Sequence, residues 1–212
     1  MIKAYSLNQL ERYPNYLKYL HTKKAEGETY ITSSSIAKKF HLNEEMVKKD
    51  LQLVSTSSGK PRVGRKIDDL INDLENLLGY ENVSDAILVG VGDLGSAFLK
   101  YEGFESLGLH ILAGFDIDPS VVGTTINGKQ IFSVNKLSNL VKRLNVKIAI
   151  LTVPAYAANL VSEQLVKAGI KAIWNFAPTH LDVSNEIVVE NVNLASSLAK
   201  LSHKLRSTYG KE

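Results

Sequence analysis

Three glycines and one acid supply the most specific chemistry in this 212-residue sequence. Gly90-x-Gly92-x-x-Gly95 directly follows the apolar run Ile87-Leu88-Val89 and opens the pattern Leu94, Ala97, Phe98. Asp116 ends the next apolar run, Ile111–Phe115, 21 residues after Gly95. Each position has a physical task in dinucleotide binding. Gly90 permits the tight turn, Gly92 lets backbone approach a pyrophosphate, and Gly95 lets a helix pack on the strand. Helix N-terminal N–H groups then face the phosphates. A carboxylate at Asp116 suits a ribose diol and repels a 2′-phosphate, which favours NAD(H) over NADP(H). The glycines alone would also suit a close-packed strand–helix turn without ligand, but that alternative leaves Asp116 unexplained. The candidate cofactor residues here are Gly90, Val91, Gly92, Asp93, Leu94, Gly95 and Asp116.

A second kind of chemistry lies upstream. The formal net charge of +3 hides an asymmetry, since residues 1–66 hold 13 Lys and Arg (Lys3 the first of them) against 6 Asp and Glu. That block is +7, and the remaining 146 residues are −4. A basic block on an otherwise acidic chain points to a polyanion partner at that end, the plainer alternative being a solvated Lys-rich face. The cations sit in an informative order. Tyr16–His21 continues a helix with Pro14 near its start, and Ser33-Ser34-Ser35 offers hydroxyls to cap a new one. Ile36, Ala37 and Phe40 form the inner face of a short helix. His41-Leu42-Asn43 then makes a turn, with Asn43 as the next N-cap. Met46, Val47, Leu51 and Val54 form the seam of the following helix, which leaves Lys48, Lys49 and Gln52 on its other faces. Two short helices around a three-residue turn describe a helix-turn-helix, or else an ordinary helical hairpin. The polar stretch from Ser55 to Lys66 carries four cations and reads as a wing tracking DNA, the alternative being a flexible linker. Helix Ile67–Leu78 closes this domain at Gly79.

Beyond Asp118 the chain alternates helices and strands: helix Val134–Leu144, strand Ile148–Val153, helix Ala155–Ala168 closed by Gly169, strand Ala172–Phe176 and strand Ile187–Val189. This rhythm predicts a doubly wound parallel sheet, with its ligand crevice beyond the strand carboxyl ends. Val153, Pro154 and Asn175 fall there. Asn175 either orients a carboxamide or satisfies its own turn. Leu194, Leu198, Leu201 and Leu205 make one stripe on a last helix, Leu194–Tyr209, which packs on its own domain or on another subunit.

The sequence contains no cysteine, which excludes disulfides and thiolate chemistry. Its five histidines show no ligand spacing, so no metal site is expected. No apolar run approaches the length of a membrane span and no signal peptide precedes the charged N-terminus. The expectation is a soluble, cytoplasmic protein.

From about Arg12 to the C-terminal helix the sequence resembles the Rex family of bacterial redox-sensing transcriptional repressors. The resemblance rests on Arg12-x-Pro14 with Tyr16 and Tyr19, Ser33–Leu42, Val47-Lys48-Lys49-Asp50-Leu51, Gly59-Lys60-x-x-Val63-Gly64 and Gly90–Gly95. It continues through Tyr101-x-Gly103-Phe104, Phe115-Asp116-x-Asp118-Pro119, Val153-Pro154-Ala155, Ala168–Lys171, Asn175–Pro178 and Val189–Val192. It implies an N-terminal winged helix (residues 1–79), a Rossmann domain binding NAD(H) (80–192) and a C-terminal helix (193–212) exchanged in a homodimer. It also implies release of operator DNA when NADH replaces NAD. DNA contacts fall to Ser33, Ser34, Lys48, Lys49, Gln52, Lys60, Arg62 and Arg65, and the switch and dimer roles to Arg12, Tyr101, Phe104 and Asn193. The departures are specific. Gln52-Leu53-Val54-Ser55 replaces a Ser-Tyr-Phe-Gly type of sequence, Pro61-Arg62 replaces Arg-Gly, Arg65 replaces Tyr, and Asp93 stands where Asn is common. Asn193 replaces an Asp that pairs across the dimer with the arginine matching Arg12.

The reading is a homodimeric, NAD(H)-responsive repressor that binds double-stranded DNA, with no catalysis, membrane or metal. Two alternatives stay open: an NAD-dependent oxidoreductase, for which only His180 follows the strand ends, the Tyr-x-x-x-Lys spacing of Tyr19–Lys23 lying upstream of the cofactor fold as a chance match, and a DNA-binding paralogue that no longer switches.

Overall fold

The computed structural model describes residues 5–80 and 84–209. Lys3 of the basic block and positions 210–212 of the C-terminal segment lie outside the described residues. The chain divides into two compact units, Met1–Asn82 and Val83–Glu212.

The first unit contains α1 (Leu7–Ala25), β1 (Tyr30–Ile31), α2 (Ser33–Phe40), α3 (Glu44–Val54), β2 (Arg65–Lys66) and α4 (Ile67–Leu78). Contrary to the expectation from Pro14, α1 starts about two turns earlier, at Leu7, and carries that proline inside it. A reciprocal capping box at Ser6 and Gln9 secures this earlier start, with the Gln9 side chain accepting from the Ser6 N–H at 2.9 Å. Thr32 caps α2 by accepting from the Ser35 N–H at 3.1 Å, so the three serines form the first turn instead of the cap. His41 ends α2 in a left-handed conformation, and Asn43 caps α3 by accepting from Glu45 and Met46 N–H groups. The core joins Tyr13, Tyr16, Leu17 and Leu20 of α1 to Ile36, Val47, Leu51 and the apolar face of α4. Met46, expected in the α3 seam, is exposed.

The second unit is a seven-stranded sheet of order β5-β6-β4-β3-β7-β8-β9. Its strands are β3 (Ser84–Val89), β4 (Leu109–Asp116), β5 (Thr125–Ile126), β6 (Lys129–Ser133), β7 (Ile148–Leu151), β8 (Ala172–Asn175) and β9 (Val188–Asn191). All pairs are parallel except the β5–β6 hairpin. From β3 the chain crosses first to β4 on one side and later to β7 on the other. This reversal opens a crevice at the strand carboxyl ends.

Alternation along β3 builds both faces. Ile87 and Val89 join the core under α6 (Leu137–Leu144) and α7 (Ala155–Ala168). Leu88 joins Leu99 of α5 (Asp93–Lys100) and Phe104 on the other face. There Phe98, Phe104, Trp174 and Phe176 make an aromatic cluster with ring centroids 4.8 to 6.2 Å apart. The helix expected to start at Val134 begins with a single 3-10 turn, Val134–Lys136, before α6. The last helix, α8 (Leu194–Tyr209), buries none of its residues.

Candidate functional site

In the first unit, the inward face of α3 presents Val47, Leu51 and Val54, and among them a carboxylate, Asp50, only 2 % exposed. Burying that charge is costly unless it is paired, and α1 supplies the partners. Arg12 donates from Nε at 2.7 Å and from Nη2 at 2.8 Å, Gln9 Nε2 at 3.1 Å and the Tyr16 hydroxyl at 3.1 Å. The Tyr13 hydroxyl donates to the Asp50 carbonyl at 3.2 Å. Hydrogen bonding to Asp50 and its charge raise the Arg12 guanidinium above its ordinary value. Burial, then the charge of Asp50, pushes the Tyr16 phenol up to about 12 and raises Tyr13 as well. Arg12, expected at a subunit contact, is therefore engaged inside its own unit. The same network fixes the rotation of α3 about its axis.

With that rotation set, Glu44, Glu45, Met46, Lys48, Lys49 and Gln52 face outward. Seven of the eight residues expected at DNA, namely Ser33, Ser34, Lys48, Gln52, Lys60, Arg62 and Arg65, line one groove between α2, α3 and the wing. Lys49 is exposed but stands outside it. Glu44 lies inside it and was missed by the sequence reading; its place directly after the Asn43 cap was the available signal.

The stretch expected as a wing is hydrogen-bonded from base to tip. β1 and β2 pair antiparallel, Tyr30 opposite Lys66. Gly64 is obligatory, because its φ is +97° and an added Cβ would lie 2.1 Å from the Ile31 carbonyl oxygen. Asp73 of α4 anchors the base by accepting from the Thr56 N–H at 2.8 Å and hydroxyl at 2.9 Å. At the tip the Val63 N–H closes a turn onto the Lys60 carbonyl at 3.2 Å. Pro61 and Arg62 occupy its middle, Arg62 at φ 62°. The cations differ in availability. Arg65 donates to the Ser57 carbonyl and braces the loop, Lys60 lies 5.7 Å from the centroid of the Tyr30 ring, and Arg62 stands exposed at the apex.

In the second unit, Gly90 has φ +96°, and a Cβ there would strike the Thr152 carbonyl oxygen at 2.8 Å. A Cβ on Gly95 would lie 2.0 Å from the Gly90 oxygen. The outer glycines are thus demanded by the fold itself. Gly92 is different: no atom lies within 4 Å of its added Cβ. Its open face stands before the N-terminus of α5, whose first-turn N–H groups lack intrahelical acceptors. The hydroxyl of Thr152 donates to the Gly90 carbonyl at 2.7 Å and ties the end of β7 to this turn. Val153 and Pro154 follow, with Pro154 as the N-cap of α7. Asp93 and Leu94 form the exposed first turn of α5, while the Val91 side chain is buried.

Asp116 stands at the carboxyl end of β4, beside the glycine turn. It accepts from the Val91 N–H at 2.5 Å and from the Ile117 and Asp118 N–H groups at 2.7 and 2.9 Å. The carboxylate that could grip a ribose therefore also shapes the phosphate turn. Asn175 resolves toward its own turn: 1 % exposed, it donates to the Thr179 carbonyl and Asn191 Oδ1 and accepts from the Ala177 N–H. Both amide hydrogens are taken within its own turn and sheet. Tyr101 packs edge-on against Phe104 at 4.9 Å, half-exposed at the rim of the aromatic cluster. Asn193 accepts from the Ser196 N–H at 2.9 Å and so caps α8.

The Tyr19–Lys23 spacing lies on α1, where Lys23 is engaged by Glu26 and Glu28 at 2.8 and 2.9 Å. Among the described residues, no group of His, Cys, Asp and Glu is placed to hold a metal, and no helix is long and apolar enough to cross a membrane.

A winged helix with a cation-lined groove and a parallel α/β unit with a nucleotide-type glycine turn, joined in one chain, define a ligand-responsive transcription regulator. Known proteins agree. Residues 6–52 match the family model of a putative DNA-binding protein N-terminus, and residues 81–179 that of a CoA binding domain. The redox-sensing transcriptional repressor Rex of Bacteroides fragilis is 41 % identical over 92 % of this chain and 89 % of its own. That of Carboxydothermus hydrogenoformans is 36 % identical over 95 % of each. The crystal structure of RSP in complex with β-NAD+ and operator DNA superposes with a TM-score of 0.90 at 30 % identity, covering 97 % of this chain and 94 % of that one. RSP in complex with β-NADH gives 0.86 over 97 % and 96 %. The chain belongs to the Rex family of redox-sensing transcriptional repressors.

Proposed function

We propose that this chain is a homodimeric repressor whose first unit binds operator DNA and whose second unit binds NAD(H), NADH lowering the affinity for DNA. The observation that carries it is the cation-lined groove, in which the exposed face of α3 and the wing apex converge while α3 itself is fixed from behind by Asp50. In the second unit Gly92 and the α5 N-terminus would hold the cofactor's pyrophosphate, and Asp116 would accept hydrogen bonds from its adenosine ribose. Gly92's open face fits that group, as does the spare acceptor capacity of the carboxylate.

The dimer reading is supported by α8. Leu194, Leu198, Leu201 and Leu205 are 59 to 69 % exposed, a continuous apolar stripe that finds no cover in its own unit. A second copy supplies that cover. The protein acts in the cytoplasm, where its DNA is.

Fluorescence anisotropy with operator duplex, alone and with NAD+ or NADH, tests the switch. The expected result is tight binding with NAD+ and release with NADH. Equal affinity under both conditions would reduce the second unit to a structural role. Sedimentation of Leu198→Asp tests the dimer: the variant should sediment as a monomer where the wild type does not.

A further inference from the structure

We propose that Glu44 is a specificity-determining residue of the DNA interface and reads a cytosine through its exocyclic N4 amino group. This rests on the DNA-binding reading above and goes beyond it, because it assigns a base. Glu44 is the first residue of α3, the part of a recognition helix that meets base edges. It shares one groove with Lys48 and Gln52, at spacings of four and eight residues. Three such positions lie on one helix face and span about 12 Å along its axis, the rise of roughly three to four base pairs.

An exposed carboxylate in that groove works against binding a polyanion. Its neighbour Glu45 lies 3.5 Å from Lys48 Nζ, whereas no ion pair engages Glu44 among the described residues. Its charge therefore lowers affinity for every DNA sequence, except where an edge offers it a donor. In the major groove, only cytosine N4 and adenine N6 are donors. Adenine sets its N6 beside the N7 acceptor, a pair suited to an amide and unfavourable for a carboxylate. Cytosine presents the donor alone. Glu44 thus rejects most sequences and accepts one base, while Gln52 carries the donor-and-acceptor pair that suits adenine and Lys48 the cation that suits guanine. A carboxylate at this position also favours the helix dipole, but that role implies no base preference.

The test is selection of binding sites from a randomised duplex library with the full-length wild type, Glu44→Gln and Glu44→Ala. The wild type should enrich a half-site with cytosine at one fixed position. Glu44→Ala should lose that preference by about five- to a hundredfold while binding random-sequence duplex more tightly. Glu44→Gln should move the preference at that position toward adenine. If both variants enrich the wild-type motif unchanged, Glu44 does not read a base and the inference is overturned with the DNA-binding reading intact. If the wild type enriches no motif at all, that reading falls and takes the inference with it.

Discussion

Arg12 and Asp50 meet through two hydrogen-bonded contacts, Nε to Oδ2 at 2.7 Å and Nη2 to Oδ1 at 2.8 Å, so that α1 is fastened to the inner face of α3. Half of that pair cannot be removed without leaving a buried group unpaired. Asp50→Ala should destabilise the first unit by about 3 kcal/mol and weaken DNA binding through loss of the α3 orientation. Chemical denaturation and anisotropy on the same variant check both. Wild-type stability in Asp50→Ala would mean that the network is incidental.

The phenols around Asp50 give an alkaline signature. Tyr16 is raised to about 12 by burial and then by the Asp50 charge, and Tyr13 is raised as well. An acid whose folded value exceeds its unfolded one, near 10, contributes stability that is complete below pH 10. That contribution is lost as pH rises through the folded value. The first unit should hold its melting temperature to about pH 10 and lose it between there and pH 12, with tyrosinate absorbance appearing as it unfolds. Tyr16→Phe should flatten this fall.

Arg62 combines an unfavourable backbone with a useful charge. A left-handed conformation costs a residue with a Cβ about 1 kcal/mol, and the third position of such a turn favours glycine. Arg62→Gly should therefore melt no lower than the wild type, and slightly higher if the relief is expressed. It should also bind DNA less tightly, with the magnitude of the log–log salt slope reduced by about 0.9 if one phosphate contact is lost. A variant that is both less stable and equally tight would remove the apex from the interface.

Asp116→Ala should lower NADH affinity about ten- to a hundredfold, since hydrogen bonds to a charged acceptor are worth about 1.5–3 kcal/mol, and NADPH should lose less. Because Asp116 also accepts from the Val91 N–H, the phosphate turn should loosen, which hydrogen exchange at Val91 would report. Calorimetric titration with both cofactors decides the first point: equal losses would place the ribose elsewhere.

Asn193 is the cap of α8, and Arg12 is occupied by Asp50. Asn193→Asp keeps an acceptor at the cap, so the ratio of operator affinities with and without NADH should change less than about twofold, within a few tenths of a kcal/mol. Asn193→Ala should cost about 1 kcal/mol of helix stability. A large change in that ratio for Asn193→Asp would restore a direct part in the switch to residue 193.

Local chemistry was legible in the sequence, and long-range pairing was not. The glycine turn, the Asn43 cap and the helix stops at Gly79 and Gly169 each follow from a few adjacent residues. The β5–β6 hairpin escaped because Lys129 and Gln130 interrupt its apolar pattern, although Asn127-Gly128, both at positive φ, is a strong hairpin signal. Asp50 was different in kind. Its partners lie 34 to 41 residues away on another helix, and nothing in the periodicity of α3 announces them. Asn175 was ambiguous for the same reason, since its partner Asn191 comes from the neighbouring strand.

The aromatic cluster on the sheet also makes the molecule its own optical instrument. Trp174, the single tryptophan of the sequence, stacks on Phe98 in the second unit, while Tyr13, Tyr16 and Tyr19 sit in the first. Emission excited selectively from the indole therefore reports one half of the chain without labelling. Tyrosine signals weight the other half, which holds six of the nine tyrosines, and a mismatch between the two transitions would reveal one unit unfolding while its neighbour stands.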